Sequence, residues 1–274
     1  MPKKICFANL KGGVGKTMNS FNIGAILAED SKVLFVDMDP QGNLSKNVGL
    51  TILANSDTPT VYDIFDAYKN ETSIAAEEVI YHSPIEGLPN ADIIPASISM
   101  FKFWKELFGR YKILDSFFQS NKKYLSRYDY IIMDTSPSLG LFNVNAFYAA
   151  DSIILNTDHD PNSIDGIDMF IGLWGFERMG INKSVSKAKQ KPDNIKAILF
   201  SKFKANTSLS SDAYNYLKMS PKTKDLLLAN IIPERVNLQR ASLFHVPINK
   251  RAPKSDGTKS YRRVIEELRE RGDL

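Results

Sequence analysis

Short runs of apolar residues alternate along this chain with longer stretches in which apolar residues recur at helical spacing. Several of the runs end at a polar residue or at a proline. They occupy residues 5–8, 33–36, 93–94, 131–133, 153–155, 195–200 and 226–232. Continuous apolar strands separated by helices are typical of a parallel sheet that is covered on both faces. The pattern therefore predicts an α/β fold with a mostly parallel twisted sheet and helices on both faces.

The length of the chain fits one such sheet. The 274 residues suffice to bury a full sheet, and we expect a single domain spanning residues 1–274. Residues 55–60 and 183–193 are predicted to be loops, not domain linkers. In a sheet of this kind, functional residues gather at the carboxyl ends of the strands.

Composition excludes several classes of protein. The single cysteine, Cys6, excludes a disulfide within the chain and favours a reducing compartment. The three histidines are far apart and lack metal-ligand spacing, which argues against a zinc site. No apolar run approaches the roughly 20 residues of a membrane helix, and the first ten residues are too weakly apolar for a signal peptide. We expect a cytoplasmic protein that does not bind a membrane.

A glycine-rich segment lies between the first predicted strand and the first predicted helix. Glycines let backbone N–H groups approach an anion closely, and the helix N-terminus adds a partial positive charge. Lys16 can reach terminal phosphates, and the Thr17 hydroxyl can bind Mg²⁺. The segment predicts a loop that binds nucleotide phosphates, formed by Lys11, Gly12, Gly13, Val14, Gly15, Lys16, Thr17 and Met18.

Carboxylates follow two other predicted strands. Asp37 and Asp39 come directly after the second strand, and Pro40 and Gly42 force a loop there, so both side chains project toward the phosphate loop. One carboxylate fits the shell of Mg²⁺ and the other fits the orientation of an attacking water. Asp134 ends a later apolar strand and is predicted to anchor the metal, although a helix N-cap is the simpler alternative for that residue.

These motifs resemble those of a known family. The ordinary phosphate loop needs glycine at position 10, where this chain has Leu10, and Lys11 stands directly before the paired glycines. Together with segments 36–43 and 134–140, this variant is similar to the deviant Walker A (SIMIBI-like) P-loop ATPases of the ParA/MinD group. The chain looks like a small ParA-type ATPase that partitions plasmids or chromosomes, without an N-terminal helix-turn-helix domain. The resemblance continues through 145–151 and 231–233 to Tyr261.

The resemblance implies an enzyme that hydrolyses ATP slowly to ADP and phosphate, with Mg²⁺. Lys16 then binds phosphate, Lys11 contacts ATP across a homodimer that forms on ATP binding, and Asp39 positions the hydrolytic water. A centromere-binding ParB-like protein is the implied partner that stimulates turnover.

The remaining implied roles concern the metal and the base. Thr17, Asp37 and Asp134 support the metal, and Pro233 borders the adenine. Two departures from the family pattern stand out. Met18 replaces a frequent second threonine near the α-phosphate, and residues 157–160 are more polar than usual, which leaves the local dimer contacts open.

Charge is unevenly distributed. Residues 181–204 contain seven lysines and one aspartate, and residues 240–263 contain seven Lys or Arg and one aspartate, although the net charge of the chain is only +4. The first block is predicted to be an exposed loop, with or without a polyanion partner. In the second, Pro247 and Pro253 are predicted to hold the chain extended on the surface. We expect non-specific, nucleoid-associated binding to double-stranded DNA by Arg235, Arg240, Lys250, Arg251, Lys254, Lys259, Arg262 and Arg263.

Alternative functions are weaker. A MinD-like positioning ATPase needs a membrane-binding C-terminal helix, but the apolar stripe there is narrow and better suited to core packing. It consists of Tyr261, Val264, Ile265 and Leu268. A nitrogenase-reductase-like protein needs more cysteines than Cys6, and a bacterial tyrosine-kinase module needs clustered C-terminal tyrosines. A non-hydrolysing nucleotide switch or scaffold stays open, although the intact Lys16, Thr17 and Asp39 argue against it.

Overall fold

One parallel sheet organises the molecule. The structure, a computed structural model, describes residues 1–52, 56–85, 88–103, 109–187 and 190–274. Within these ranges seven strands pair in the order β3-β4-β2-β5-β1-β6-β7, and each neighbouring pair is parallel except β3 with β4. The strands are β1 Lys3–Ala8, β2 Val33–Asp37, β3 Tyr81–His82, β4 Ala91–Ile94, β5 Tyr130–Asp134, β6 Ser152–Thr157 and β7 Ile195–Phe200.

Helices cover both faces, which confirms the predicted fold class. In chain order they are α1 Lys16–Leu27, α2 Asn43–Asn47, α3 Val61–Lys69, α4 Ala76–Val79, α5 Ile113–Ser120, α6 Lys122–Leu125, α7 Leu141–Ala149, α8 Pro161–Lys183, α9 Ser208–Met219, α10 Val236–Leu243, α11 Ile248–Arg251 and α12 Asp256–Glu270. A short 3₁₀ helix spans Ile98–Phe103. In the ranges that the structure describes, none of these helices is both long and apolar enough to span a membrane.

The two faces of the sheet bury separate cores. Successive side chains of a strand point to opposite faces, so Cys6 packs with α3, α5, α7, α8 and α9, while Ile5 and Phe7 pack with α1, α2, α10, α11 and α12. The predicted C-terminal stripe is buried in this second core, which confirms its packing role. Helix α1 lies very close to the sheet, because a Cβ at Gly24 would overlap the Phe35 ring.

The strand predicted at 226–232 is wrong. Leu227 makes an isolated bridge to Ile198, and Pro233, just after the segment, makes one to Phe203. Between the bridges, the backbone N–H groups of Ala229 and Asn230 donate to the Glu267 carboxylate at 2.7 and 2.8 Å, so a side chain replaces the neighbouring strand. Conversely, the two-residue β3 is too short to show any sequence pattern.

Two further predictions need correction. The basic block 181–204 is not an exposed loop throughout, because it contains the end of α8 and all of β7, and Asn194 is buried. Residues 188 and 189 of this block lie outside the described ranges, as does Asn55 of the first predicted loop. The C-terminal basic segment is mostly helical. Pro247 is the N-cap of α11, a position where a fixed φ and a missing N–H do no harm.

Candidate functional site

The glycine-rich loop joins the carboxyl end of β1 to α1. Gly13 and Gly15 have φ angles of 81° and 95°, in the left-handed region that glycine adopts without strain. Gly15 is the N-cap of α1, and no side chain caps the helix. The first N–H groups of α1 are therefore available to an anion held by the loop.

Lys16 lies inside this loop. Its side chain is largely buried, and its ammonium donates to the Lys11 carbonyl at 3.0 Å. Burial lowers the pKa of Lys16, and the carboxylates of Asp134 and Asp39 act in the opposite direction. The structure thus brings together the lysine and the carboxylates that the sequence predicted to share a site.

Asp134 is the carboxylate best suited to a metal ion. It ends β5 beside Asp37 at the end of β2, is fully buried, and neither carboxylate oxygen accepts a hydrogen bond from a described residue. Burial, reinforced by the charge of Asp37, raises the pKa of Asp134 well above its ordinary value. Thr17 and Lys16 act in the opposite direction, although the Thr17 hydroxyl does not reach hydrogen-bond geometry with the carboxylate. A buried carboxylate without partners beside a threonine hydroxyl fits the oxygen ligands that Mg²⁺ prefers.

Asp37 and Asp39 have different surroundings. The Asp37 carboxylate accepts bonds from the Ser45 hydroxyl at 2.7 Å, the Ser45 N–H at 2.8 Å and the Asp39 N–H at 3.2 Å, and burial raises its pKa to about 7. It therefore fixes the loop that carries Asp39. Asp39 accepts one bond on Oδ1, from the Gln41 N–H at 3.0 Å. Its Oδ2 makes no hydrogen bond with the described part of the chain.

Lys11 lies at the outer edge of the loop. Its ammonium is 3.6 Å from Asp160 Oδ2, and both side chains are about 40% exposed. Asp160 is also the N-cap of α8, where hydrogen bonds from Asn162 lower its pKa. The unusually polar segment at 157–160 thus caps α8 and holds Lys11 by a contact that solvent can easily replace.

Four residues of the site were not predicted from the sequence: Ser45, Lys202, Asn9 and Asn156. Ser45 holds Asp37 as described above. The Lys202 ammonium donates to the Gly13 carbonyl, and Lys202 has a left-handed φ of 54°. Asn9 accepts from the Lys11 N–H at 2.9 Å and donates to the Asn156 carbonyl at 2.6 Å. Lys202 and Asn156 are distant in sequence from the loop, so no local motif could reveal them.

The predicted adenine border lies at the same end of the sheet. Pro233 bridges to Phe203, the neighbour of Lys202, and a cavity of about 570 Å³ is lined by residues 204–207, Glu234 and Arg235. A larger, mostly apolar cavity of about 790 Å³ has Asp39, Pro137 and Phe142 in its wall.

All eight residues predicted to bind DNA are exposed. Six of them lie on α10, α11 and α12, and α11 contacts both other helices. Three of the side chains already have partners. Arg235 donates to the Glu234 carbonyl at 3.0 Å, Arg251 stacks 4.6 Å over the exposed Phe244 ring, and Arg262 pairs with Glu29 at 2.7 Å. The structure thus places these basic residues on one cluster of helices on the α1 face of the sheet.

Fold and loop together define a P-loop nucleotide-binding protein of the α/β class. The sequence profile of the AAA domain matches residues 2–187. The chromosome-partitioning ATPase Soj of Treponema pallidum is 29% identical over 277 residues, which cover 98% of this chain and 97% of Soj. The chain therefore belongs to the AAA-domain family and is one of its ParA-type members.

Solved structures agree with this fold. Apo McdA of Cyanothece matches with a TM-score of 0.79 at 18% identity, covering 99% of each chain. A plasmid partition protein of Borrelia burgdorferi B31, bound to AMPPNP, matches with a TM-score of 0.76 at 23% identity, covering 98% of this chain and 99% of that chain. The homologues support a partition-type ATPase.

Proposed function

We propose that this protein is an ATP-dependent DNA partition protein. ATP binding drives a sandwich homodimer that binds double-stranded DNA non-specifically, and hydrolysis, stimulated by a centromere-binding ParB-like partner, releases the DNA. The observation that supports the DNA part is the exposure of all eight predicted cations. Six of them lie on α10, α11 and α12, and α11 and α12 pack against α1, the helix that begins at the phosphate loop. Such a protein is cytoplasmic and nucleoid-associated, and residues 1–274 act as one ATPase domain.

The phosphate loop binds ATP through three kinds of group. The N–H groups at the start of α1 and the glycine segment hold the phosphates, and the Lys16 ammonium neutralises part of their charge. Thr17 and Asp134 hold Mg²⁺, with Asp37 supporting them from the neighbouring strand. When bound, Mg²⁺ offsets negative charge on the phosphate oxygens. Pro233 borders the adenine.

Asp39 acts on the attacking water. Its Oδ2 has no hydrogen bond with the described residues, so it can accept one from a water and orient the oxygen toward the terminal phosphate. The bonds from Ser45 and from the Asp39 N–H to Asp37 keep this loop in place. A carboxylate held in this way supports hydrolysis and not nucleotide affinity.

Lys11 acts between subunits. It precedes the glycines and is partly exposed, and its one ion pair with the described residues is the weak contact with Asp160. In the dimer Lys11 exchanges that contact for the nucleotide of the other subunit. Two subunits then present two basic surfaces to one duplex, so the second contact is intramolecular and ATP switches DNA binding on.

A filter-binding titration on unrelated duplexes, with ATP, with ADP and without nucleotide, tests this proposal. The variant is Lys259→Ala/Arg263→Ala, because Arg262 is paired with Glu29. We expect ATP-dependent binding in the parent, and a loss in the variant that is the same on every duplex and makes the salt dependence shallower. The matched control is Lys122→Ala/Lys123→Ala, which removes two exposed lysines from α6 on the opposite face of the sheet.

Equal DNA binding in all three nucleotide states would contradict the proposal, as would an equal loss in variant and control. Steady-state ATP turnover with and without DNA separates an ATPase from a non-hydrolysing switch. Nucleotide binding with no turnover under any of these conditions would favour the switch.

A further inference from the structure

Helix α1 and a residue just after its end form hydrogen bonds with the C-terminal basic segment. Asn22 Oδ1 accepts from the Ile248 N–H at 2.8 Å. Glu29, just beyond the end of α1, accepts from Asn249 Nδ2 at 2.9 Å and from Arg262 at 2.7 Å. Asn22 lies within α1 and Glu29 lies two residues after its end, and both side chains contact the C-terminal segment. The start of α11 and the middle of α12 are therefore tied to the helix whose first turn holds Lys16.

A fully buried hydrogen-bond chain extends these contacts toward the loop. Tyr261 Oη, on α12, donates to Asn19 Oδ1 at 2.8 Å. Asn19 Nδ2 donates in turn to Asn156 Oδ1 at 2.7 Å and to Ser201 Oγ at 2.8 Å. All four side chains are buried. Burial also raises the pKa of Tyr261 well above its ordinary value, so the hydroxyl stays protonated and donates.

The chain of bonds reaches both ends of the phosphate loop. At one end, the Asn19 N–H donates to the Gly15 carbonyl at 2.8 Å, which closes the first turn of α1. At the other end, the Asn156 carbonyl accepts from Asn9 Nδ2 at 2.6 Å, and Asn9 Oδ1 accepts from the Lys11 N–H at 2.9 Å. A shift of the loop on nucleotide binding must move Asn19 or strain its bonds.

A tyrosine at 261 does more than fill the core. Phenylalanine has nearly the same ring and would satisfy packing against α1, but it would leave Asn19 Oδ1 buried without a donor. Buried polar chains of this kind hold a limited set of arrangements and couple the groups at their ends. The coupled ends here are the phosphate loop and the helix that carries Lys259, Arg262 and Arg263.

We infer that Tyr261 is a positioning residue that transmits the nucleotide state of the phosphate loop to the basic surface of α11 and α12, through Asn19. The effect on DNA rests on the ATP-dependent DNA binding proposed above. A hydrogen bond that serves stability alone would affect the protein equally with and without nucleotide. A hydrogen bond that couples the loop to the basic surface instead changes the ratio of the DNA affinity with ATP to the DNA affinity without it.

The test compares the parent with Tyr261→Phe. The matched control is Tyr214→Phe, which removes the same hydroxyl from a tyrosine on α9 whose partner is the Leu228 carbonyl and not Asn19. Amide hydrogen exchange of residues 256–270 and the DNA dissociation constant are measured with and without ATP and Mg²⁺, and ATP affinity is measured by calorimetry without DNA. Exchange needs no DNA, so it reports coupling even where DNA binding fails.

In the parent we expect ATP to alter exchange in residues 256–270. Tyr261→Phe should remove most of that change and lower the ATP enhancement of DNA binding about tenfold, within the usual range of coupling between sites. ATP affinity without DNA should change by less than about threefold, because no phosphate contact is lost. The control should behave like the parent. By linkage, the enhancement of ATP affinity by DNA falls by the same factor as the enhancement of DNA binding by ATP.

Each other outcome has a separate meaning. If ATP alters exchange at 256–270 but the parent binds no DNA, the proposed function fails and the coupling stands. If the parent binds DNA only with ATP but exchange at 256–270 is unchanged, the coupling is overturned and the proposed function stands. A variant that melts earlier yet keeps the full ATP effect would make Tyr261 a structural residue only. If Tyr261→Phe does not fold, Ser201→Ala weakens the same chain from the other side of Asn19 and should reduce the ATP effect in the same direction.

Discussion

The phosphate site and the C-terminal basic surface hold their charges in opposite ways. At the phosphate site, Lys16, Asp37 and Asp134 are buried and fixed by the ends of three strands and one helix. On the basic surface every cation is exposed. Buried groups act through geometry, whereas exposed groups act through summed charge. Single substitutions should therefore have large and specific effects at the first region and small, graded effects at the second.

The largest effect is expected at Asp39. Asp39→Ala removes the group that orients the water, so turnover should fall on the order of 100-fold or more, as for other positioned acid–base groups. ATP affinity should stay nearly unchanged. Phosphate release and calorimetry measure the two quantities. The control is Asp165→Ala, an exposed aspartate on α8. Normal turnover in Asp39→Ala would transfer the role to Asp37.

Lys16→Ala should act on affinity instead. A hydrogen bond to a charged group contributes about 1.5–3 kcal/mol, so ATP binding should weaken at least about tenfold. Calorimetry measures the dissociation constant, and Lys32→Ala, at an exposed lysine before β2, provides a control with the same change of charge. An unchanged ATP affinity would show that Lys16 does not contact the phosphates. It would also contradict the expectation that substitutions at buried charges have larger effects than substitutions at exposed ones.

Lys11 belongs to the phosphate loop but is partly exposed, so it tests whether a residue between the two extremes behaves like the buried site or like the exposed surface. Lys11→Ala should keep ATP affinity within about threefold of the parent, because its own loop has lost no phosphate contact, and should lose ATP-dependent dimerisation in sedimentation. Asp160→Asn removes the partner of Lys11 without removing the lysine and should still dimerise. A Lys11→Ala protein that dimerises with ATP like the parent would rule out the contact between subunits.

The two regions also differ in what the sequence could predict. The loop and its carboxylates follow strand ends directly, so glycine spacing, apolar runs and terminal aspartates predicted them. Two of their supports were missed because they are distant in sequence: Lys202 on Gly13 and Asn156 beside Asn9. Ser45 is only eight residues from Asp37, but a single serine in a loop forms no distinctive pattern. No pattern along the chain shows which distant side chain will meet a given loop.

For the C-terminal region, the sequence predicted which residues are exposed and which are buried, but it did not predict the helical conformation. Charge and apolar spacing predicted an exposed basic surface over a buried stripe, and both are present. The prolines suggested an extended chain because both disfavour helix interiors, yet each lies outside a helix interior, where helices can start and stop. The failed strand at 226–232 has a similar cause, since the Glu267 carboxylate that takes its N–H groups lies far along the chain.

The smallest and most discriminating effect is expected at Glu29. This carboxylate binds Arg262, and hydrogen bonds from Asn249 and Arg262 lower its pKa despite the opposing effect of burial. Glu29→Gln should free Arg262 to contact phosphates and remove a negative charge near them. An exposed ion pair of this kind contributes about 0.2–1 kcal/mol, so DNA binding should strengthen by no more than about fivefold, with a similarly small loss of stability.

The matched control for this last prediction is Glu266→Gln. It removes the same charge from the exposed face of α12, where the structure shows no ion pair for Glu266 among the described residues. If the two variants strengthen DNA binding equally, only net charge matters on this surface and Arg262 has no special place. If Glu29→Gln has the larger effect and also steepens the salt dependence, Arg262 has gained a phosphate contact, since each added contact increases the slope by about one. That result would show that the orientation of Arg262 matters in addition to its charge. Arg262 would then resemble the buried site, because Glu29, just after α1, holds its side chain in place.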